Sequence, residues 1–198
     1  MTTASEVVRA GPDQAERVAV LIAEAFLPLP VVAWLLPDPA DRLDRLTADF
    51  LIFVEHAFTH GHVEVTADVT AAAVWFHGAD YPPPPDYAAR VAAACGPWLD
   101  RFQVLDDHFE AHHPHDPHHH LAFLAVQPDC QSAGVGSLLM RQHHQRLDGA
   151  GTPAYLEASS PRARDLYLRH GYRLMGEPFF MPDGPPFWRM WREPQGPV

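Results

Sequence analysis

Leu121-Ala122-Phe123-Leu124-Ala125-Val126 runs without a polar residue into Gln127-Pro128-Asp129-Cys130-Gln131-Ser132-Ala133-Gly134-Val135-Gly136-Ser137-Leu138-Leu139. An apolar run of this length, stopped by a proline, predicts a strand buried on both faces. The glycine-containing turn then opens onto a helix over Val135–Leu147, with Val135, Leu138, Leu139 and Leu147 along one side. Such a junction aims several unpaired N–H groups and the positive end of a helix dipole at one point, which suits phosphate or pyrophosphate. Gly134 and Gly136 either let a ligand approach the main chain or let the helix lie close on the strand. The Walker pattern is missing, as is the Gly-x-Gly-x-x-Gly fingerprint with its downstream acid.

Working outward, Pro153–Glu157 predicts a strand, Arg162–His170 a helix, and Tyr172–Gly176 and Phe187–Trp191 two further strands. Upstream, Val7-Val8-Arg9 is a short strand, and Pro12-Asp13 marks a helix start with a capping aspartate nearby. Helical spacing continues through Val18, Leu21, Ile22, Ala25 and Phe26, then Val31–Leu36, then Leu43–Phe58. His62–Thr66 and Ala71–Phe76 read as an antiparallel hairpin. Tyr81 and Pro82–Pro85 form a stiff spacer before helices near Tyr87–Ala94 and Pro97–Ala111. The expected fold is a single domain, residues 1–198, of the α/β (α+β) class with a mixed sheet.

Composition narrows the function. Of 198 residues, 14 are basic and 25 acidic, a formal charge of −11, which argues against a nucleic-acid partner. Every basic residue is arginine, so a lysine nucleophile or Schiff base is excluded. The two cysteines, Cys95 and Cys130, make no disulfide framework. Met1–Arg9 does not read as a secretory leader, and Val18–Leu36 is interrupted by Glu24, Pro28 and Pro30. A cytoplasmic protein with no membrane span is expected, monomeric or homodimeric.

The pattern Gln131-x-x-Gly134-x-Gly136 between an apolar strand and a helix resembles the acyl-CoA-binding signature of the GNAT acyltransferase superfamily. A second block strengthens it: Tyr155-Leu156-Glu157-Ala158-Ser159-Ser160-Pro161-Arg162, then Leu166-Tyr167-Leu168-Arg169-His170-Gly171-Tyr172. Ala72-Ala73-Val74-Trp75, Val126-x-Pro128-Asp129 and Leu156-Glu157-x-Ser159-x-Pro161-Arg162 further resemble the puromycin N-acetyltransferase branch. The resemblance implies a mostly antiparallel sheet flanked by helices. It implies acetyl-CoA as acyl donor, bound by Leu124, Ala125, Val126, Gln131, Ser132, Ala133, Gly134, Val135, Gly136, Ser137, Arg162 and Tyr167. Residues near 118–176 would form this cofactor core, with the N-terminal helices and hairpin serving the acceptor. Two departures stand out: Ser132-Ala133 follows the glutamine, where many members carry a small or basic pair, and Ala163 replaces a frequent asparagine.

By the same resemblance, the Val126 N–H would hold the acetyl carbonyl and Tyr167 would be the general acid at the thioester sulfur. A free amine arrives as ammonium near neutral pH, so a base is needed. Glu157 is the candidate, either as base or as ammonium anchor, against a plain salt bridge to Arg162 or Arg164. His119 or His120 could relay a proton, and His143 reads as a packed core histidine. Phe26, Trp34, Trp75, Tyr81, Phe179, Phe180 and Trp188 are candidate acceptor walls. The leading expectation is an N-acetyltransferase acting on a primary amine of a small, antibiotic-like or aromatic molecule. Two alternatives remain: a metal-binding role for His112, His113, His115, His118, His119 and His120 with Asp116, and an inactive acyl-CoA-binding sensor. No metal is assigned.

Overall fold

The computed structural model describes residues 6–78 and 81–196. Residues 1–5 of the stretch read above as carrying no leader lie outside them. Among the described residues, no helix is long and apolar enough to cross a membrane. Strand β1 (Val7–Arg9) leads through a 3-10 turn at Pro12–Gln14 into α1 (Ala15–Phe26). The Gln14 side chain, not Asp13, accepts from the Gly11 N–H at that helix start. Helices α2 (Pro30–Leu35) and α3 (Arg42–His60) follow, then the hairpin β2 (Gly61–Thr66) and β3 (Ala71–His77). Next come α4 (Tyr87–Cys95), α5 (Leu99–His112), β4 (His119–Val126), α6 (Val135–Ala150), β5 (Ala154–Ala158) and α7 (Pro161–Arg169). Two short strands, β6 (Arg173–Leu174) and β7 (Phe179–Phe180), precede β8 (Pro186–Arg192).

The sheet runs β1-β2-β3-β4-β5-β8-β6, with β7 paired to β8. Among the described residues only β4 and β5 are parallel, so the sheet is mixed and mostly antiparallel. Period-two alternation divides β3 cleanly. Ala72, Val74 and Phe76 face one apolar cluster with α1 and α3, while Ala71, Ala73 and Trp75 face the other with α6. A register shift opposite Val74/Trp75 leaves Ala122 as the extra residue of β4. Ala122 and Phe123 therefore both lean toward the N-terminal helices.

The expectation that Leu121–Val126 is buried on both faces is corrected. Leu121 and Ala125 are buried, but Ala122, Phe123, Leu124 and Val126 are only half-buried. The reason is that β5 pairs with β4 only at His119↔Ala154 and His120↔Tyr155 and then departs. The helices packed on β4 cover its faces while its β5-side edge is left open.

Buried polar groups on the α6 side are paired into a network. Glu64 accepts from Arg146 and lies 3.4 Å from His143 Nδ1; His143 Nε2 is 3.1 Å from His119 Nδ1, and Trp75 stacks on the His143 ring at 4.0 Å. His143 is thus the packed histidine expected from sequence. Burial, first of all, pushes His144 down to about 3 and His62 down to about 4. The folded pKa lies below the unfolded one, so the unfolded chain binds the extra proton. Stability from these groups is complete above about pH 6.5 and is lost as pH falls toward 3–4. His144→Gln is expected to flatten the decline in urea-unfolding free energy between pH 7 and pH 4; an unchanged slope would refute this assignment.

Candidate functional site

Two halves of a cleft meet where β4 leaves β5. On the α6 side, the chain exits β4 into a 3-10 turn at Pro128–Cys130 and reaches α6 through Gln131–Gly134. Ser132 (φ 65°) and Gly134 (φ 84°) both adopt the left-handed conformation. Alternation of this kind turns successive N–H groups inward as an anion-binding nest. A non-glycine residue held there is strained, and such strain clusters at ligand sites. Ser132, Ala133 and Gly134 are exposed, and Val135, Gly136 and Ser137 half-buried. A Cβ on Gly134 would meet nothing within 4 Å, so its backbone faces open space. A Cβ on Gly136 would lie 3.4 Å from Val126 Cγ2 and 3.7 Å from Leu124, so that glycine brings α6 onto β4. Of the two roles weighed for glycine from sequence, close packing of the helix on the strand is seen at Gly136, while Gly134 leaves its main chain open to solvent.

Gln127 N–H donates to the carbonyl of Thr70, the residue just before β3 (2.8 Å), so by alternation the polar groups of Val126 and Leu124 face the opposite, open edge. The Val126 carbonyl there accepts from Gln131 Nε2 (3.1 Å), which ties the loop to the strand. Ala125 pairs with Ala72 and buries its methyl in the N-terminal core, so its main chain faces β3 instead. Ser137 Oγ is 2.9 Å from His170 Nε2. Across the cleft, Ser160 caps α7 by accepting from Ala163 N–H, and Arg162 Nη2 donates to Ser132 Oγ at 3.0 Å. Arg162 thus bridges the start of α7 and the nest. Tyr167, one turn from the end of α7, is 8 % exposed, and burial raises its phenol well above the ordinary value. That group stays protonated at any working pH.

On the other side of the sheet, Tyr155 and Glu157 of β5 meet His120 of β4 and His113 of the segment after α5. His120 Nε2 donates to Glu157 Oε2 at 2.9 Å, and His113 Nδ1 is 3.9 Å from Glu157 Oε1. Glu157 is 3 % exposed in its side chain. Burial alone would raise its pKa, but His120, by charge and hydrogen bond, then Tyr155 and His113, hold it below the ordinary carboxylate value. His113 is pushed down to about 4 by burial and by His120. The result is an ionised carboxylate in a site screened from water, with the His113 imidazole held neutral.

Neither arginine considered for Glu157 reaches it. Arg162 is on Ser132, while Arg164 pairs with Asp165 and covers Trp188. The histidine segment is split by strand alternation: His120 joins Glu157, His119 crosses to the His143 network, and His112 stacks on Phe179 at 4.3 Å. From sequence, His113 was weighed only within the histidine segment as a possible metal ligand and Tyr155 was quoted only within a resemblance block; neither was tied to Glu157. Only the parallel pairing of β4 with β5 brings them together, and no local pattern encodes it. Phe26, Trp34, Tyr81 and Phe179 belong to the apolar cluster with the N-terminal helices. Trp75 is fully buried under α6, and Trp188 packs on the other cluster, so these two lie on the opposite face of the sheet from the first four. Phe180 is exposed. Phe26, Phe50, Phe53 and Phe123 instead form an edge-to-face aromatic group, with centroids 4.9–6.2 Å apart.

Residues 111–193 match the model of an acetyltransferase (GNAT) domain, which covers both halves of this cleft. The fold is that of solved acetyltransferases. One described as histone acetyltransferase HPA2 and related acetyltransferase, from Corynebacterium glutamicum ATCC 13032, is 24 % identical, covers 99 % of each chain and gives a TM-score of 0.74. A mosquito arylalkylamine N-acetyltransferase like 5b is 17 % identical over 95 % of this chain and 100 % of its own, with a TM-score of 0.61. The C-terminal condensation domain of Ebony, solved with beta-alanyl-dopamine, is 14 % identical over 95 % and 98 %, with a TM-score of 0.60. The domain match and these neighbours support an acyltransferase.

Proposed function

We propose that the protein transfers an acetyl group from acetyl-CoA to the primary amine of an aromatic or arylalkyl small molecule. The observation that carries this reading is the departure of β5 from β4 after His120. It leaves an open main-chain edge, with an anion nest at one end and a buried Glu157–His120 pair on the opposite face. In this reading residues 1–198 act as one domain, and the donor lies along Leu124–Val126 with its diphosphate on the Gln131–Ser137 amides. The Val126 N–H donates to the acetyl carbonyl as negative charge develops there. His120 takes the ammonium proton, and Glu157 stabilises the resulting imidazolium. The amine nitrogen attacks and the N–C bond forms, the intermediate loses its second N–H proton to solvent, the C–S bond breaks, and Tyr167 gives its proton to the departing thiolate before being reprotonated from solvent.

The aromatic group around Phe123 supports a ring-bearing acceptor. So do two proteins of the same fold, one called an arylalkylamine N-acetyltransferase and one solved with beta-alanyl-dopamine. Resemblance to the puromycin branch supports including amine-bearing antibiotics in that class, and use of acetyl-CoA fits a cytoplasmic reaction. Isothermal titration with acetyl-CoA should show one binding event, and an amine panel including puromycin should yield products heavier by one acetyl group in mass spectra. No heat at millimolar acetyl-CoA, or no product from any aryl amine, would overturn the proposal.

A further inference from the structure

His113, His120 and Glu157 each place one ligand atom within 4.8 Å of the others. The two carboxylate contacts, 2.9 Å to His120 and 3.9 Å to His113, bracket the spacing of about 3.3 Å between donors on a tetrahedral zinc with bonds of about 2.0–2.1 Å. The group is also incompletely satisfied. Glu157 Oε1 and His120 Nδ1 are buried with no hydrogen-bond partner, and so is the Tyr155 hydroxyl beside them. Buried polar atoms are almost always paired, so the orphaned Glu157 Oε1, within reach of His113, indicates a missing partner there. His118 adds to the pattern. It is 1 % exposed and donates Nδ1–H to Asp116 O at 2.6 Å, which leaves Nε2 as a buried, unpartnered lone pair. Its ring lies 5.0 Å from that of His113. A ring nitrogen fixed by a main-chain carbonyl, with the other presenting its lone pair, is the usual preparation of a histidine ligand.

We propose that His113, His120 and Glu157 bind one zinc-class divalent cation. Two imidazoles and a carboxylate suit zinc, cobalt or nickel better than magnesium or calcium, which prefer all-oxygen shells. Three protein ligands leave a fourth tetrahedral position, the arrangement of an open site. For Nε2 of His120 to hold the metal, its proton moves to Nδ1, and the hydrogen bond to Glu157 is given up. The cation and the amine proton therefore compete for the same atoms, so zinc inhibits acyl transfer. That consequence rests on the acyl-transfer reading, whereas the site itself does not.

The test is calorimetric titration of the full chain, freed of metal with a chelator, using zinc chloride. Cobalt(II) is added separately to read the intense visible bands of a tetrahedral complex. One equivalent is expected, retained in His115→Ala, whose side chain is on an exposed residue outside the group. Affinity should fall at least about tenfold in both Glu157→Gln and His113→Ala. If Glu157→Gln fails to fold, His113→Ala carries the comparison. No zinc binding, or equal binding by wild type and all three variants, would overturn the site. No acetyl donor is present, so its failure and that of acyl transfer are read separately.

Discussion

Tyr167→Phe is expected to lower kcat by about 10²- to 10⁴-fold, the range for loss of a positioned general acid. The affinity for acetyl-CoA should change by less than about threefold, because the ring and its packing are kept. Tyr167 sits in the apolar cluster with Leu139, Leu156 and Tyr172, its ring 5.9 Å from that of Tyr172. No hydrogen bond from its hydroxyl holds the fold together among the described residues, so phenylalanine leaves the packing intact. Burial raises the phenol, which keeps the proton available; a thiolate leaving into the same dry site becomes more basic for the same reason, and the transfer stays feasible. Single-turnover kinetics with a responsive amine read the chemical step directly. A rate within about twofold of wild type would remove Tyr167 from the reaction, and with no turnover in either form the acyl-CoA sensor would be the surviving alternative.

Asp49→Asn is expected to stabilise the protein by about 2–4 kcal/mol at pH 8, against little change at pH 4. Asp49 lies on α3 and is 7 % exposed; burial, reinforced by Asp106, raises its pKa to about 8. Asp106 is itself fixed by Tyr87, whose hydroxyl donates to it at 2.6 Å. Because the folded value exceeds the unfolded one, the folded chain holds the extra proton. Stability is therefore complete below about pH 4 and declines as pH rises through about 8. An amide of the same shape has no such proton to lose. Urea unfolding at pH 4, 6 and 8 should show the gap between variant and wild type widening with pH. A constant or reversed gap would mean that Asp49 ionises freely in the folded protein.

His144 makes stability rise between about pH 3 and 6.5 while Asp49 makes it fall between about pH 4 and 8, so of the two only the fall remains above about pH 6.5. Neither group was marked out by the sequence. Both lie within helices where a polar residue reads as solvent-facing, and burial there depends on which neighbouring helix covers it.

Residues 121–139 determined the strand, the turn and the helix by themselves, because apolar runs, proline stops and glycine turns act over a few residues. Local physics also set α1, α3, the hairpin and α7, whose periodicity was plain and whose ends fell within a few residues of expectation. Strand β6 falls inside the strand expected at Tyr172–Gly176, but the two-residue β7 carried too little pattern, and Phe179–Phe180 was not recognised as a strand. The tertiary structure alone decided that β5 pairs with β4 for two residues and then departs. That one separation gives Leu124–Val126 an open edge. It also sets Glu157 against His120 rather than an arginine. Strand partners are chosen by packing between segments tens of residues apart, and no window of sequence short enough to show a period contains both.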